Sequence, residues 1–303
     1  MNSSMVKITE IPNPPSDTIS EIQFSPTLPL FITSSWDSSL NLYNLNGLIS
    51  SLKHTNPLLT CCFSKDTQSH CFTGSADGTL QFIDLEKNIM NSIKAHSDGI
   101  KSIRSFHNTI ITGSWDKTIK FHDTRSAQCT KTINLEGKVY CMDIDKNMIA
   151  YGLSTNVIYS APIDNIERTK KHQPKINYML KSISCLDKYI LVGGIDGKCE
   201  LINTSVYYSS TPFRSHRKDS KVHSVNTVAM YPTNHNILAT GGSNGEIIFY
   251  DNLSKIKTYT KTEDNAITSN TFSPDGKYYL YSTGEDWSKG YTGEFKRTYL
   301  KSH

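Results

Sequence analysis

The stretch Thr112-Gly113-Ser114-Trp115-Asp116-Lys117-Thr118-Ile119-Lys120-Phe121-His122-Asp123 is one copy of a pattern that recurs along the chain. A small residue and a glycine lead into a polar residue, usually Asp or Asn. A segment alternating apolar and polar follows and closes on an acid. Further copies fall at Ser34-Ser35-Trp36-Asp37, Gly74-Ser75-Ala76-Asp77, Gly152 to Thr155, Gly193-Gly194-Ile195-Asp196, Gly241-Gly242-Ser243-Asn244 and Thr283-Gly284-Glu285-Asp286. From Asp37 the steps to Asp77, Asp116, Thr155, Asp196, Asn244 and Asp286 are 40, 39, 39, 41, 48 and 42 residues. A period near forty with several short strands per unit predicts propeller blades, since one four-stranded blade cannot bury its own faces but a ring can. Seven such units use nearly all of the 303 residues. The expectation is an all-β, seven-bladed β-propeller forming a single domain over residues 1–303.

Each blade opens with an apolar strand, as at Ile19 to Phe24, Leu58 to Phe63, Ile100 to Ile103, Val139 to Ile144, Val225 to Met230 and Ile267 to Phe272. Turn chemistry such as Ser25-Pro26 and Ser273-Pro274-Asp275-Gly276 ends several of them. The polar turn residue is expected to bond local backbone, and the glycines to supply positive φ. Met5 to Thr9, before the breaker Pro12-Asn13-Pro14-Pro15, and the tail Phe295 to Leu300 are both expected in the last blade. Such a closure removes the open sheet edges. Two insertions, Asp164 to Tyr178 and Thr204 to His223, flank one repeat.

The net charge is +4, unevenly spread: Asn165 to Lys221 holds eleven Lys and Arg against five Asp and Glu. That asymmetry points either to an acidic partner or to a solvated loop face with a chance excess of lysine. The seven cysteines include no CxxC pair, and reduced thiols in an intracellular protein are expected. The sequence contains no apolar run of membrane-spanning length and no secretory apolar segment, so no membrane insertion is expected.

Catalysis has little support. The ten histidines show no metal-ligand spacing, and no nucleophile elbow or phosphate loop is present. The chain is therefore expected not to be an enzyme and to need no cofactor or metal. His96 is read as bonding within its blade, with His54 a weaker copy. Trp115 is read as packing, whereas Trp36 fits packing and peptide contact equally. Phe213-Arg214-Ser215-His216-Arg217 interleaves basic residues with an aromatic, and an Arg fork matches carboxylate or phosphate. The low overall charge argues against direct DNA binding.

The repeats resemble WD repeats. Asp17-Thr18-Ile19-Ser20, Ser34-Ser35-Trp36-Asp37, Gly113-Ser114-Trp115-Asp116-Lys117-Thr118, Lys138-Val139-Tyr140, Ile195-Asp196-Gly197-Lys198, Phe213 to Arg217 and Ala239 to Gly245 together are similar to the Bub-three and Rae-one family. That resemblance implies a nuclear adaptor that docks a short acidic segment, the GLEBS motif, on one face of the propeller. By position it implies Trp36, Lys181, Lys198 and Arg214 as contacts for peptide or phosphopeptide. Lys181 and Lys198 stand where the family has Arg, which keeps charge but gives up bidentate geometry. The reading adopted from sequence is the checkpoint branch: a checkpoint kinase or its paralogue, and a phosphorylated kinetochore scaffold, as partners at mitotic kinetochores. The alternative is an mRNA-export factor binding a nucleoporin at the nuclear pore, towards which Asp286-Trp287-Ser288-Lys289-Gly290 leans.

Overall fold

The computed structural model describes residues 8–206, 209–218, 220–251, 256–288, 290 and 298–302. They form seven antiparallel four-stranded sheets and one small hairpin. From the centre outward (strands a to d), blade 1 is Ile19–Phe24, Phe31–Ser35, Ser39–Asn44 and Gly47–Lys53. Blade 2 is Leu58–Phe63, His70–Ser75, Thr79–Asp84 and Ile89–Lys94. Blade 3 is Ile100–Phe106, Thr109–Ser114, Thr118–Asp123 and Cys129–Asn134. Blade 4 is Val139–Asp145, Met148–Leu153, Ile158–Pro162 and Lys170–His172. Blade 5 is Leu180–Leu186, Tyr189–Gly194, Lys198–Asn203 and Ser210–Arg214. Blade 6 is Val225–Tyr231, Asn234–Gly242, Glu246–Asp251 and Ile256–Thr262. Blade 7 is Ala266–Phe272, Tyr279–Gly284, Tyr299–Ser302 and, from the other end of the chain, Thr9–Glu10.

The a strands contact one another in sequence, and blade 1 meets blade 7, so the fold is a closed seven-bladed β-propeller. Closure is a pairing of Thr9 with Ser302 and Glu10 with Lys301. The expected terminal strands are thus present in part; Met5 to Lys7 and Phe295 to Arg297 lie outside the described residues.

Burial is graded along each blade. The b strand of blade 1 is buried throughout, while the d strands of blades 2 and 3 are exposed at five of six positions or half-buried. The core is therefore seven seams between neighbouring blades. One seam, for example, joins Ile111, Ile119 and Phe121 of blade 3 to Val139, Met142 and Ile149 of blade 4. Each seam buries four or more large apolar side chains, each worth about 1.5–3 kcal/mol relative to exposure.

Gly78, Gly197 and Gly245 supply positive φ as expected, whereas the glycines before the turn act differently. Gly113 lies within the b strand of blade 3, and a Cβ there would stand 2.8 Å from Val139 Cγ1. Its role is close approach of the next blade, not positive φ. The left-handed backbone falls instead on the residue after the turn acid: Ser38 (φ 67°), Gly78 (86°), Lys117 (68°) and Gly197 (64°). The turn acids do bond local backbone as expected, since Asp37 Oδ1 accepts from Ser39 N–H (2.8 Å) and Asp116 Oδ1 from Thr118 N–H (3.0 Å).

Every a strand carries a register shift near its start. The seven residues stepped over are Ser20, Leu59, Lys101, Tyr140, Lys181, Asn226 and Thr268, and all seven line one cavity of about 420 Å³, the central channel. A bulge re-aims the extra residue out of the ladder, here into the channel. The channel also holds a three-blade ion cluster: Arg104 Nη1 donates to Glu21 Oε1 (2.8 Å) and Nε to Asp143 Oδ1 (2.6 Å). Burial opposes the Arg104 charge, and the two carboxylates outweigh it and raise its pKa.

Candidate ligand-binding face

The b–c turns and d–a connections converge on one face, called here the upper face. Blade 3 shows how a complete repeat uses it. His96, wholly buried as a side chain, donates from Nδ1 to Asp116 Oδ2 (2.9 Å) and accepts at Nε2 from the Thr112 hydroxyl (2.7 Å). Burial lowers the His96 pKa despite the Asp116 carboxylate. Trp115 lies against Gly99, where a Cβ would stand 2.7 Å from the ring. His96 and Trp115 thus serve structure, as the sequence suggested. His54 does not copy His96: its ring contacts Asn56 two residues away.

Blade 6 repeats the device with His216, which donates from Nδ1 to Asn244 Oδ1 (3.1 Å) and accepts at Nε2 from Thr240 (2.9 Å). Burial pushes its pKa down to about 4. The basic string around Phe213 therefore divides. Ser215 and His216 are buried, while Arg214 and Arg217 are exposed. Nor does the string lie in a loop, as expected: Phe213 and Arg214 belong to strand d of blade 5, and Arg217 opens a hairpin, Arg217–Lys218 with Lys221–Val222. The first insertion likewise contains strand d of blade 4.

Blade 5 lacks the histidine. A Cβ on Gly242 would stand 2.3 Å from His216 Nδ1, and a Cβ on the corresponding Gly194 would stand 2.4 Å from Ile176 Cγ2. Ile176 occupies the histidine's seat. The carboxylate of Asp196, 8% exposed, consequently accepts no hydrogen bond, and its counter-charge is Lys198, whose Nζ is 3.0 Å from Oδ2. Lys198 is thus half committed to its own blade.

The four residues expected to meet a ligand all reach the upper face, in two groups. Lys198 and Arg214 are cross-strand partners in blade 5. Lys181, in the same blade, is the bulge residue of strand a. Its Nζ donates to Asn226 Oδ1 (2.6 Å), and Asn226 Nδ2 donates on to Asp286 Oδ2 (2.8 Å). Burial lowers the Lys181 pKa, Asp286 opposes that, and Lys101 across the channel adds to it. Trp36 stands apart on blade 1, 43% exposed, its N–H bonded to Thr18 O (3.0 Å). It borders the channel with Trp115 and Trp287, the chain's other two tryptophans.

Sequence reading missed several residues here. Lys101 and Tyr140 enter the channel beside Lys181, and the signal was positional: each is the second residue of its blade's first strand. Arg104 carried no local signal, since its partners are 83 and 39 residues away. All seven cysteines are free, six of them buried. No group of three or more metal-ligating side chains occurs among the described residues.

The comparisons agree with the geometry. The family described as "WD domain, G-beta repeat" matches residues 6–44, 46–84, 87–123 and 209–251. Poly(A)+ RNA export protein of Schizosaccharomyces pombe is 29% identical over 94% of this chain and 86% of its own length. Protein Rae1 of Drosophila melanogaster is 31% identical, covering 93% and 89%. Mitotic checkpoint protein bub3 of Dictyostelium discoideum is 24% identical, covering 93% and 90%. The lean towards the checkpoint branch is therefore corrected, because the export relatives are the more similar. The chain belongs to the WD-repeat proteins, within the family that unites Rae1-type export factors and Bub3-type checkpoint proteins.

Proposed function

We propose that this protein is a non-catalytic adaptor of mRNA export that docks an acidic segment of a nucleoporin on the upper face of its propeller, at the nuclear pore. The observation that carries the export reading is the likeness to an RNA export protein along 94% of the chain, above that to the checkpoint relative. Lys181, Lys198 and Arg214 rise from one blade, within the segment where positive charge is concentrated. Charge-assisted hydrogen bonds from such cations to Glu side chains supply both orientation and affinity. Trp36 contributes an apolar wall on the far side of the channel. A rigid disc of this kind binds with little ordering cost on its own side.

The test is co-purification of the tagged full-length chain from interphase and mitotic cells. A nucleoporin recovered in interphase supports the export reading. A checkpoint kinase recovered in its place, with kinetochore localisation in mitosis, supports the checkpoint alternative and overturns the export reading.

A further inference from the structure

The central channel holds cations that the fold itself does not use. Lys101, Tyr140 and Lys181 are the bulge residues of three consecutive blades, and all three line the one cavity of about 420 Å³. Among the described residues, neither the Lys101 ammonium nor the Tyr140 hydroxyl makes a hydrogen bond or an ion pair. The Lys181 ammonium donates to a neutral amide, Asn226 Oδ1, and pairs with no described carboxylate.

The acids that share the cavity are already engaged. Glu21 Oε1 accepts from Arg104 and from Gln23 Nε2 (3.0 Å), and its Oε2 from the Thr60 hydroxyl and the Cys61 N–H (3.3 Å). Asp143 Oδ1 accepts from Arg104, and Oδ2 from the Cys185 N–H (2.8 Å). Asp286 accepts from Asn226 and from the Ser288 N–H (3.1 Å). Arg104 is thus neutralised by Glu21 and Asp143, while the two lysines are not. Burial is the largest cause lowering the pKa of each lysine. Glu21 opposes it at Lys101, and the charge of Lys101 adds to it at Lys181. Two like charges drawn out of water at one mouth are stabilised by an anion placed between them.

We infer that the mouth of the channel binds a small phosphate-type dianion, its oxygens taken by Lys101 and Lys181 from two sides and by the Tyr140 hydroxyl between them. Two cations without a carboxylate partner match the charge of a phosphate or phosphomonoester dianion. Three donors on three blades suit the spread oxygens of a phosphate better than the two of a planar carboxylate. The cavity lies in the size range of small-ligand pockets, with room for the organic part of a phosphomonoester as well as for phosphate itself. The site stands apart from the peptide contacts proposed above. Lys198 and Arg214 do not line the cavity, and Lys181 alone is common to both.

The experiment is isothermal titration calorimetry of inorganic phosphate, and separately of ribose 5-phosphate, into the full-length chain without peptide. Saturable binding of one anion per chain is expected, and Lys101→Met should weaken it at least about tenfold. Lys101 has no partner in the fold to lose, so this variant should stay folded, which circular dichroism checks. Tyr140→Phe removes only a hydroxyl and should weaken binding about fivefold. Lys117→Gln removes the same charge from the exposed upper turn of blade 3, outside the cavity, and should leave affinity within about twofold. The bound anion should also raise the thermal midpoint of the native chain and not that of Lys101→Met. Tighter binding of the ester assigns a phosphomonoester, and equal or tighter binding of phosphate assigns the free ion; either supports the site. Absence of saturable binding by both anions overturns the inference, as does unchanged affinity in Lys101→Met. A loss in Lys117→Gln as large as in Lys101→Met overturns it in favour of diffuse surface charge. None of these results depends on the acidic-segment reading, which the peptide experiments test separately.

Discussion

Blade 3 and blade 5 are built on the same strand plan and use their upper rims differently. Blade 3 spends its polar turn residues on itself: His96, Asp116, Thr112 and Thr118 close a network, and Trp115 lies flat on Gly99. Blade 5 has Ile176 in the histidine's place, closes its acid with a lysine, and carries an added hairpin of cations. A blade that satisfies its own polar groups offers little to a ligand. The blade that departs from the repeat is the one with exposed charge and apolar surface to spare.

The comparison can be broken at several points. The largest effect is expected from His96→Ala. It strands the buried Thr112 hydroxyl and the Asp116 carboxylate, and should cost about 3 kcal/mol in chemical denaturation. A loss under 1 kcal/mol would show that the network does not hold blade 3.

Acid should act on the equivalent network of blade 6. The folded pKa of His216, about 4, lies below its ordinary 6.5, so the unfolded chain takes up the proton first. The stability this group contributes is complete above pH 6.5 and is lost as pH falls towards 4, on the order of 3 kcal/mol. Urea midpoints between pH 7 and pH 4.5 measure it, and His216→Gln should flatten that profile.

Lys198→Met should cost about 2 kcal/mol, because it leaves the Asp196 charge buried without its partner. Adding Ile176→His supplies the donor that blades 3 and 6 already use, and should recover about 1 kcal/mol. No recovery would mean that the seat of Ile176 is not equivalent to that of His216. The smallest stability effect is expected from Arg214→Glu, within about 0.5 kcal/mol, since that side chain is exposed and forms no ion pair among the described residues. This separates the two cations that sequence placed together: Arg214 is free to serve a ligand, whereas Lys198 also serves the fold.

The fold was legible because a propeller repeats its instructions, and the interval from Asp37 to Asp77 to Asp116 fixes blade size without reference to any distant contact. The first strands, from Ile19–Phe24 onward, follow from short apolar runs bounded by turns. The site was legible only in part. Arg214 and Trp36 stood out by residue type, and their face follows from their place beside the turns. Lys101 and Tyr140 were hidden because a bulge, not a side-chain pattern, aims them at the channel. The exposure of Met179, Ile195 and Val222 was hidden because ordinary core residues look the same in sequence. The structural tie of Lys198 was hidden for a related reason: its pairing with Asp196 follows from a histidine that is absent, and absence in one repeat is visible only beside its neighbours.

The central claim is that cations on the rim of blade 5 hold an anionic ligand. The direct measurement is calorimetric titration of an acidic peptide into the native chain and into Arg214→Glu, Lys221→Glu, at low and at physiological salt. The account predicts that the double variant weakens binding by about tenfold or more, and that native binding falls as salt rises. Equal affinity of the two proteins at both salt concentrations would contradict it.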